Sequence, residues 1–274
     1  MTKDEVKTIG MKWAEREGWN PGLYDAECFY KTDPDGFWLG LFDKEPIACI
    51  SAVEYNNNFV FLGFYIVKPE YRGKGFGLKI WNKIMSSMAD KKIGLDGVWE
   101  QQTNYKKSGF KYAYSNIRYE GRANPKDRKF SGIVPLSKIP FTELFKYDSS
   151  HFPAPRKRFL KCWIHQPKSF SLAAVEKGKI AGYAVVRKCV KGYKIGPLFA
   201  NNRVLADKLF FSIVNYLDGG SLFYLDIPDE NLEAVNLAEN YGMEKVFGTA
   251  RMYADFQPKI KLNEIFGVTS FELG

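Results

Sequence analysis

Arg72-Gly73-Lys74-Gly75-Phe76-Gly77 decides how the rest of the chain is read. Ahead of it runs an apolar stretch, Phe59 to Val67, joined to it by Lys68-Pro69-Glu70-Tyr71. Behind it, Leu78, Trp81 and Met85 recur at helical spacing with Ile80 and Ile84 alongside. The order is strand, glycine-rich turn, helix. Such a turn aims backbone N–H groups outward at the positive end of a helix dipole, a site suited to phosphate oxygens. Glycine lets an anion come close to the backbone, and Arg72 and Lys74 add charge. Two other phosphate loops are excluded. A P-loop has four residues between its glycines and then Gly-Lys-Ser/Thr, and this stretch has neither. A dinucleotide fingerprint reads Gly-x-Gly-x-x-Gly, whereas Gly73, Gly75 and Gly77 alternate.

What remains, Arg72-x-x-Gly75-x-Gly77 after a strand ending in Val67-x-Pro69, resembles the acyl-CoA pyrophosphate loop of the GNAT N-acetyltransferase superfamily. Further on, Asn104-Tyr105-Lys106-Lys107-Ser108-Gly109-Phe110 looks like that family's Tyr-x-x-x-Gly-Phe segment. The resemblance implies an acetyl-CoA site in which Arg72, Gly73, Lys74, Gly75, Phe76 and Gly77 hold the pyrophosphate. It also implies that the strand before the loop splays from its neighbour, so that backbone groups of Ile66 and Val67 bond the pantetheine arm. Tyr105 then stands at the position of the general acid, with the Val67 N–H as oxyanion donor. For the base, Glu100 is the first choice, with Glu54 and Asp96 next. One position departs from the family, which often carries Asn seven residues before the Tyr. Val98 stands there, and Gln101 or Asn104 would take over its contact.

At 274 residues the chain has room for two domains, and 45% hydrophobic with 16% aromatic residues supports packed cores. No apolar run approaches the ~20 residues of a membrane span, and the opening residues are unlike a secretory signal. Cys28, Cys49, Cys162 and Cys189 form no CxxC pair, and the histidines are only His151 and His165, so a metal site is not expected. Reduced, buried thiols in a cytoplasmic protein are the expectation. No histidine lies near Cys28 or Cys49 in sequence to activate a nucleophile. The net charge of +9 is spread along the chain, densest at Arg122–Lys129 and Arg156–Arg158, so nucleic acid is not the expected partner. Trp13, Trp19, Phe37 and Trp38 read as core or cleft wall.

Periodicity predicts helices over Asp4–Glu17 and Leu23–Tyr30, then strands Phe37–Phe42, Pro46–Tyr55 and Phe59–Val67, with a turn at Asn56-Asn57-Asn58. After the loop and its helix come a strand Gly94–Glu100, a helix Gln101–Lys107, and a hairpin of Phe110–Tyr114 with Asn116–Glu120. The same order then returns. Ile47-Ala48 recurs as Ile180-Ala181, an offset of 133 (180 − 47), and Gly63/Gly196, Gly109/Gly242 and Arg118/Arg251 share it. At that offset Arg72, Gly75, Gly77 and Tyr105 fall on Leu205, Lys208, Phe210 and Ala238. In the second copy Asp226 and Asp229 read either as the lining of a vestigial cleft or as caps ahead of Asn231.

The expected architecture is therefore α/β, an α+β mixed sheet. It comprises two tandem GNAT-like folds, each a mostly antiparallel sheet with a splayed central strand pair and flanking helices. The units are 1–121, binding cofactor, and a degenerate 135–274, joined by a linker at 122–134. The expected activity is transfer of an acetyl group from acetyl-CoA to a primary amine, on a small molecule or a peptide, without metal or membrane. The second unit would shape the acceptor cleft or a homodimer. The alternatives are a non-catalytic acyl-CoA sensor or scaffold and a binder of anionic polymers.

Overall fold

The computed structural model describes every residue except Asn57 and Asp255, so the centre of the expected Asn56–Asn58 turn lies outside the described residues. A helical run opens the chain: α1 (Lys3–Glu5), a π-turn over Val6–Met11, and α2 (Lys12–Arg16). Thr2 and Glu5 cap it reciprocally, each side chain accepting the other's backbone N–H. After α3 (Asp25–Thr32), the strands β1 (Phe37–Phe42), β2 (Glu45–Asn56) and β3 (Phe59–Val67) form an antiparallel meander. Then follow α4 (Phe76–Ser87), β4 (Lys92–Val98), α5 (Gln102–Lys107) and β5 (Phe110–Arg122).

The second half repeats this order. It comprises β6 (Ile133–Pro135), α6 (Phe141–Asp148), α7 (Lys157–Trp163), β7 (Ser169–Glu176), β8 (Lys179–Lys188) and β9 (Tyr193–Ala200). It continues with α8 (Arg203–Val214), β10 (Leu222–Pro228), α9 (Leu232–Asn240), β11 (Glu244–Ala254) and β12 (Ile265–Gly267). Among the described residues the strands form one twelve-stranded sheet.

Each half is splayed at its centre. β3 runs parallel to β4 from Phe59/Lys92 only to Leu62/Leu95, and β9 to β10 only from Tyr193/Phe223 to Ile195/Leu225. A bulge starts each splay. Phe64 and Tyr65 sit in β3 where β2 offers a single residue, and Gly196 and Pro197 sit likewise in β9 opposite β8. Phe64 has φ +47°, rare for a bulky side chain, and the strand is re-aimed there.

β5 and β11 are exchanged between the halves. β11 pairs with β4, and β5 pairs with β10, while β5 and β11 run antiparallel to each other at the middle of the sheet. This corrects the expected hairpin of Phe110–Tyr114 with Asn116–Glu120. The segment is one unbroken strand, because its hydrogen-bonding edges are filled by β10 and β11 rather than by itself. The 133-residue register also breaks after β9. Residues 68–75 connect β3 to α4, whereas residues 201–202 connect β9 to α8. The glycine turn is missing from the second half, not substituted residue by residue.

On one face of the sheet a single core spans both halves, with Trp13, Phe29 and Phe64 from the first packed against Trp163, Tyr183 and Phe199 from the second. Within it α3 lies against α7, and Cys28 is bonded to Cys162 across a Cα separation of 5.3 Å. The expectation of four free thiols is corrected: two are cross-linked where the halves meet, and Cys49 and Cys189 remain free and buried. On the opposite face lie two separate cores, one of Trp81 and Ile84 of α4 with Ala250 and Met252 of the exchanged β11, the other of Leu209 and Phe210 of α8 with Tyr119 of the exchanged β5. No helix among the described residues is long and apolar enough to cross a membrane.

Candidate active site

A cleft of about 660 Å³ opens where β3 leaves β4. One wall is the upper half of β3, including Ile66 and Val67; the other is β4, with Leu95, Asp96 and Val98. The Lys68 N–H donates to Ile47 O on β2. Backbone groups alternate sides along a strand, so the Val67 N–H faces the splay instead. Its carbonyl points the same way and accepts from Arg72 Nε at 2.8 Å.

The glycine turn forms the mouth. Arg72, Gly73, Gly75 and Gly77 line the cleft, while Lys74 stands over the Tyr71 ring and Phe76 packs on Phe42 and Tyr71. Gly75 is the N-cap of α4 in the left-handed region, φ +80°, with no side chain to close the helix end. The first N–H groups of α4 are thus left open toward the cleft. A Cβ on Gly77 would stand 2.8 Å from Tyr65 Oη and 3.0 Å from Val67 Cγ2, so a larger residue there would push both side chains off that wall. The Arg72 guanidinium also pairs with Glu17, fastening the end of the first helical run over the turn.

In the second half the corresponding helix end is closed, because the Asn202 side chain accepts from the Leu205 N–H at 3.0 Å. The corresponding splay is filled as well. β12 pairs with β9, and the Val268 N–H donates to Asp226 O on β10 at 2.8 Å. Asn231, the N-cap of α9, holds this tail by donating its amide to Leu262 O, Asn263 O and Ile265 O. The chain's own C-terminal segment therefore occupies the second half's groove. It then crosses to the first half and adds Phe271 and Glu272 to the open cleft. The exchanged strand β11 adds Phe247 and Thr249, so the second half builds a wall of the first half's site.

Tyr105, 8% exposed, reaches the cleft from α5. Its ring packs on Trp81 and against Gly97, where a Cβ would stand 2.3 Å from the ring. Burial, with a smaller contribution from Tyr65, pushes its hydroxyl pKa well up, so the phenol stays protonated. Val98, Gln101 and Asn104 all border the cleft, and the Asn104 amide donates to Gln101 at 2.8 Å.

The proposed bases are dispersed. β4 ends at Val98, two residues short of the expected limit, and a 3₁₀ turn over Trp99–Gln101 carries Glu100 to the surface, outside the cleft lining. Glu54 is paired with Lys91 away from the cleft. Asp96 borders the cleft but is gripped by Arg251 and by the Asn116 amide, and burial outweighs that grip to push its carboxyl above the usual range. Cys49 donates its thiol to Phe64 O, and burial pushes it up to about 12, which leaves no thiolate for nucleophilic work. In the second half Asp226 is taken by Arg118, and Asp229 exchanges hydrogen bonds with the Ser115 backbone, leaving the cap to Asn231. Sequence reasoning missed Phe247, Phe271 and Glu272, since nothing local ties residues beyond 240 to a loop at 72.

Both halves of the chain are similar to known sequences. The "Acetyltransferase (GNAT) family" matches residues 7–110, and the "Acetyltransferase (GNAT) domain" matches residues 144–267. The holothin acyltransferase of Pseudoalteromonas sp. (strain SANK 73390) is 33% identical over 263 residues, covering 96% of this chain and 90% of that protein. This chain belongs to the GNAT acetyltransferase family. It is a tandem member, with one GNAT match in each half. Among solved structures, a putative acetyltransferase from Pyrococcus horikoshii superposes over 100% of this chain and 94% of its own, with TM-score 0.85 at 23% identity. A tandem GNAT protein from the clavulanic acid biosynthesis pathway covers 93% and 96%, with TM-score 0.63 at 13% identity. Both share the fold.

Proposed function

We propose that this GNAT protein is an acetyl-CoA-dependent N-acetyltransferase whose acceptor is a primary amine, attacked directly within a ternary complex. The observation that carries it is the one-sidedness of the fold. The β3–β4 splay is open beside an uncapped helix end, and its counterpart between β9 and β10 is filled by β12. Acetyl-CoA, when bound, supplies the activated thioester. In this reading Val67 offers its backbone to the pantetheine arm, while the backbone of Ile66, on the alternate side, faces β2 and not the arm as expected; the Arg72–Gly77 turn with the start of α4 takes the pyrophosphate. The Val67 N–H stabilises the oxyanion, and Tyr105 gives its proton to the departing sulfur. Residues 1–121 bind the cofactor, and 135–274, through β11 and the tail, shape the acceptor end. The protein works in the cytoplasm, and neither nucleic acid nor membrane takes part. The holothin acyltransferase makes holothin the first acceptor to try.

Calorimetric titration with acetyl-CoA tests the cofactor site. Arg72→Ala is expected to weaken binding about 10- to 100-fold, the loss of a charge-assisted contact, and Gly77→Glu to abolish it. Unchanged affinity in both variants sinks the assignment. A screen for acetylated amines with wild type and Tyr105→Phe tests the chemistry. Tyr105→Phe is expected to lower kcat about 100-fold or more with unchanged acetyl-CoA affinity. Tight cofactor binding with no product from any amine would point to an acyl-CoA sensor instead.

A further inference from the structure

Three carboxylates border the cleft, and two are engaged: Glu17 by Arg72, and Asp96 by Arg251 and Asn116. The third is Glu272. It is 2% exposed, and neither side-chain oxygen has a hydrogen-bond partner among the described residues. A buried, ionisable group left without hydrogen bonds is costly and calls for a ligand or a counter-charge.

Its position is firmly set. The Glu272 carbonyl lies 2.0 Å from where a Cβ on Gly63 would stand, so the tail rests directly on β3. Its neighbour Leu273 donates to Ser270 Oγ at 3.1 Å and accepts from Tyr55 Oη at 2.7 Å. Trp19, Phe247 and Phe271 also line the cleft, and the Arg118 guanidinium already lies over the Phe247 and Phe271 rings, 5.5 and 4.8 Å from their centroids. The rings give apolar contact to an acceptor's body, and Glu272 is the lining carboxylate without a hydrogen-bond partner among the described residues. The charges that face Glu272 are Arg118 on β5, Arg187 on β8 and Lys194 on β9, with Asp226 and Asp25 near them. Arg118 is paired with Asp226, whereas Asp25 holds Arg187 through Nε alone, and the two terminal nitrogens of Arg187 have no hydrogen-bond partner among the described residues.

We propose that Glu272 anchors the acceptor's ammonium and takes its proton, making it the catalytic base, with the acceptor a primary amine on an apolar or aromatic body. The proposal rests on the acetyl-transfer reading above. The ammonium gives one proton to Glu272, and the freed lone pair forms the C–N bond as the C–S bond breaks. The departing sulfur takes the Tyr105 proton, the nitrogen's second proton replaces it, and Glu272 passes its own proton to solvent. The alternative is purely structural: Glu272 as the counter-charge of Lys194 and Arg187.

The experiment compares two kinds of probe amine, phenethylamine, which is protonated at pH 7, and aniline, which is neutral there. Thiol release from acetyl-CoA is followed with wild type, Glu272→Gln and Glu100→Gln. Glu272→Gln is expected to lower kcat/KM for phenethylamine about 100- to 1,000-fold at pH 7. The deficit should shrink as pH rises and the free amine accumulates. Aniline needs no deprotonation before attack and should lose less than about threefold. Equal losses with both amines would indicate the structural role and overturn the proposal. So would an unaltered rate, or the same drop appearing in Glu100→Gln instead. Calorimetry separates the two levels. Wild type that fails to bind acetyl-CoA sinks the transferase reading itself, whereas wild type that binds it and acetylates neither probe overturns the amine-anchor assignment alone.

Discussion

Arg251 of β11 clasps Asp96 of β4 with two hydrogen bonds of 2.7 Å, joining the exchanged strand of the second half to the fourth strand of the first. Arg118 of β5 repeats the clasp on Asp226 of β10. Both pairs are buried, and both depend on the strand exchange. Removing one partner strands a charge in the interior, which costs about 3–5 kcal/mol. Asp96→Ala and Asp226→Ala are each expected to lower stability by that amount in urea unfolding, and Asp96→Ala to disturb the cleft as well. Loss of less than about 1 kcal/mol in both would contradict the clasp.

The Asp226 clasp has a pH signature. Burial pushes its carboxyl up, but Arg118, helped by Lys194 and Arg187, outweighs burial and holds it below its ordinary 3.8. A carboxylate whose folded pKa is depressed contributes stability that is complete above the unfolded value. That contribution is lost as pH falls through the folded one. Urea midpoints of wild type should therefore drop below about pH 4 more steeply than those of Asp226→Asn. Parallel curves would refute the assignment.

Gly63 and Gly196 are matched in the repeat because the C-terminal tail passes over both. A Cβ would meet Glu272 O at 2.0 Å on the first and Thr269 O at 2.6 Å on the second. Alanine at either site is expected to cost about 1–3 kcal/mol by overpacking. Only Gly63→Ala should also displace Glu272 and depress turnover. Activity and denaturation measured on both variants decide this, and equal turnover in the two would count against it.

The Cys28–Cys162 bond closes a long loop between the halves. Cys28→Ser/Cys162→Ser is expected to be about 2–4 kcal/mol less stable than the oxidised protein. Reductant should bring wild type toward the double variant and leave the variant unmoved. A thiol titre that is the same before and after reduction would rule the bond out.

The first half of the site was legible because its signals are local. A strand, three glycines, an open helix end and a tyrosine helix lie within residues 59–110, and their spacing reflects backbone geometry that neighbours in sequence impose on one another. The repeat was legible for the same reason, since Gly63 and Gly196 carry the same steric demand in the same strand. Tertiary structure alone decided the rest. The Phe110–Arg122 segment could read as a hairpin because alternation along a strand does not say which strands will fill its edges. Cys28 and Cys162 carry no motif, and their pairing follows from α3 packing on α7. Glu100 looked suited to be the base from its place beside a strand, yet a two-residue difference in where β4 ends turns it to solvent. Glu272 carries no sequence signal of its own. It reaches the cleft because the tail fills the second half's groove and then has only the first half's sheet to rest on, a consequence of packing between residues some two hundred positions apart.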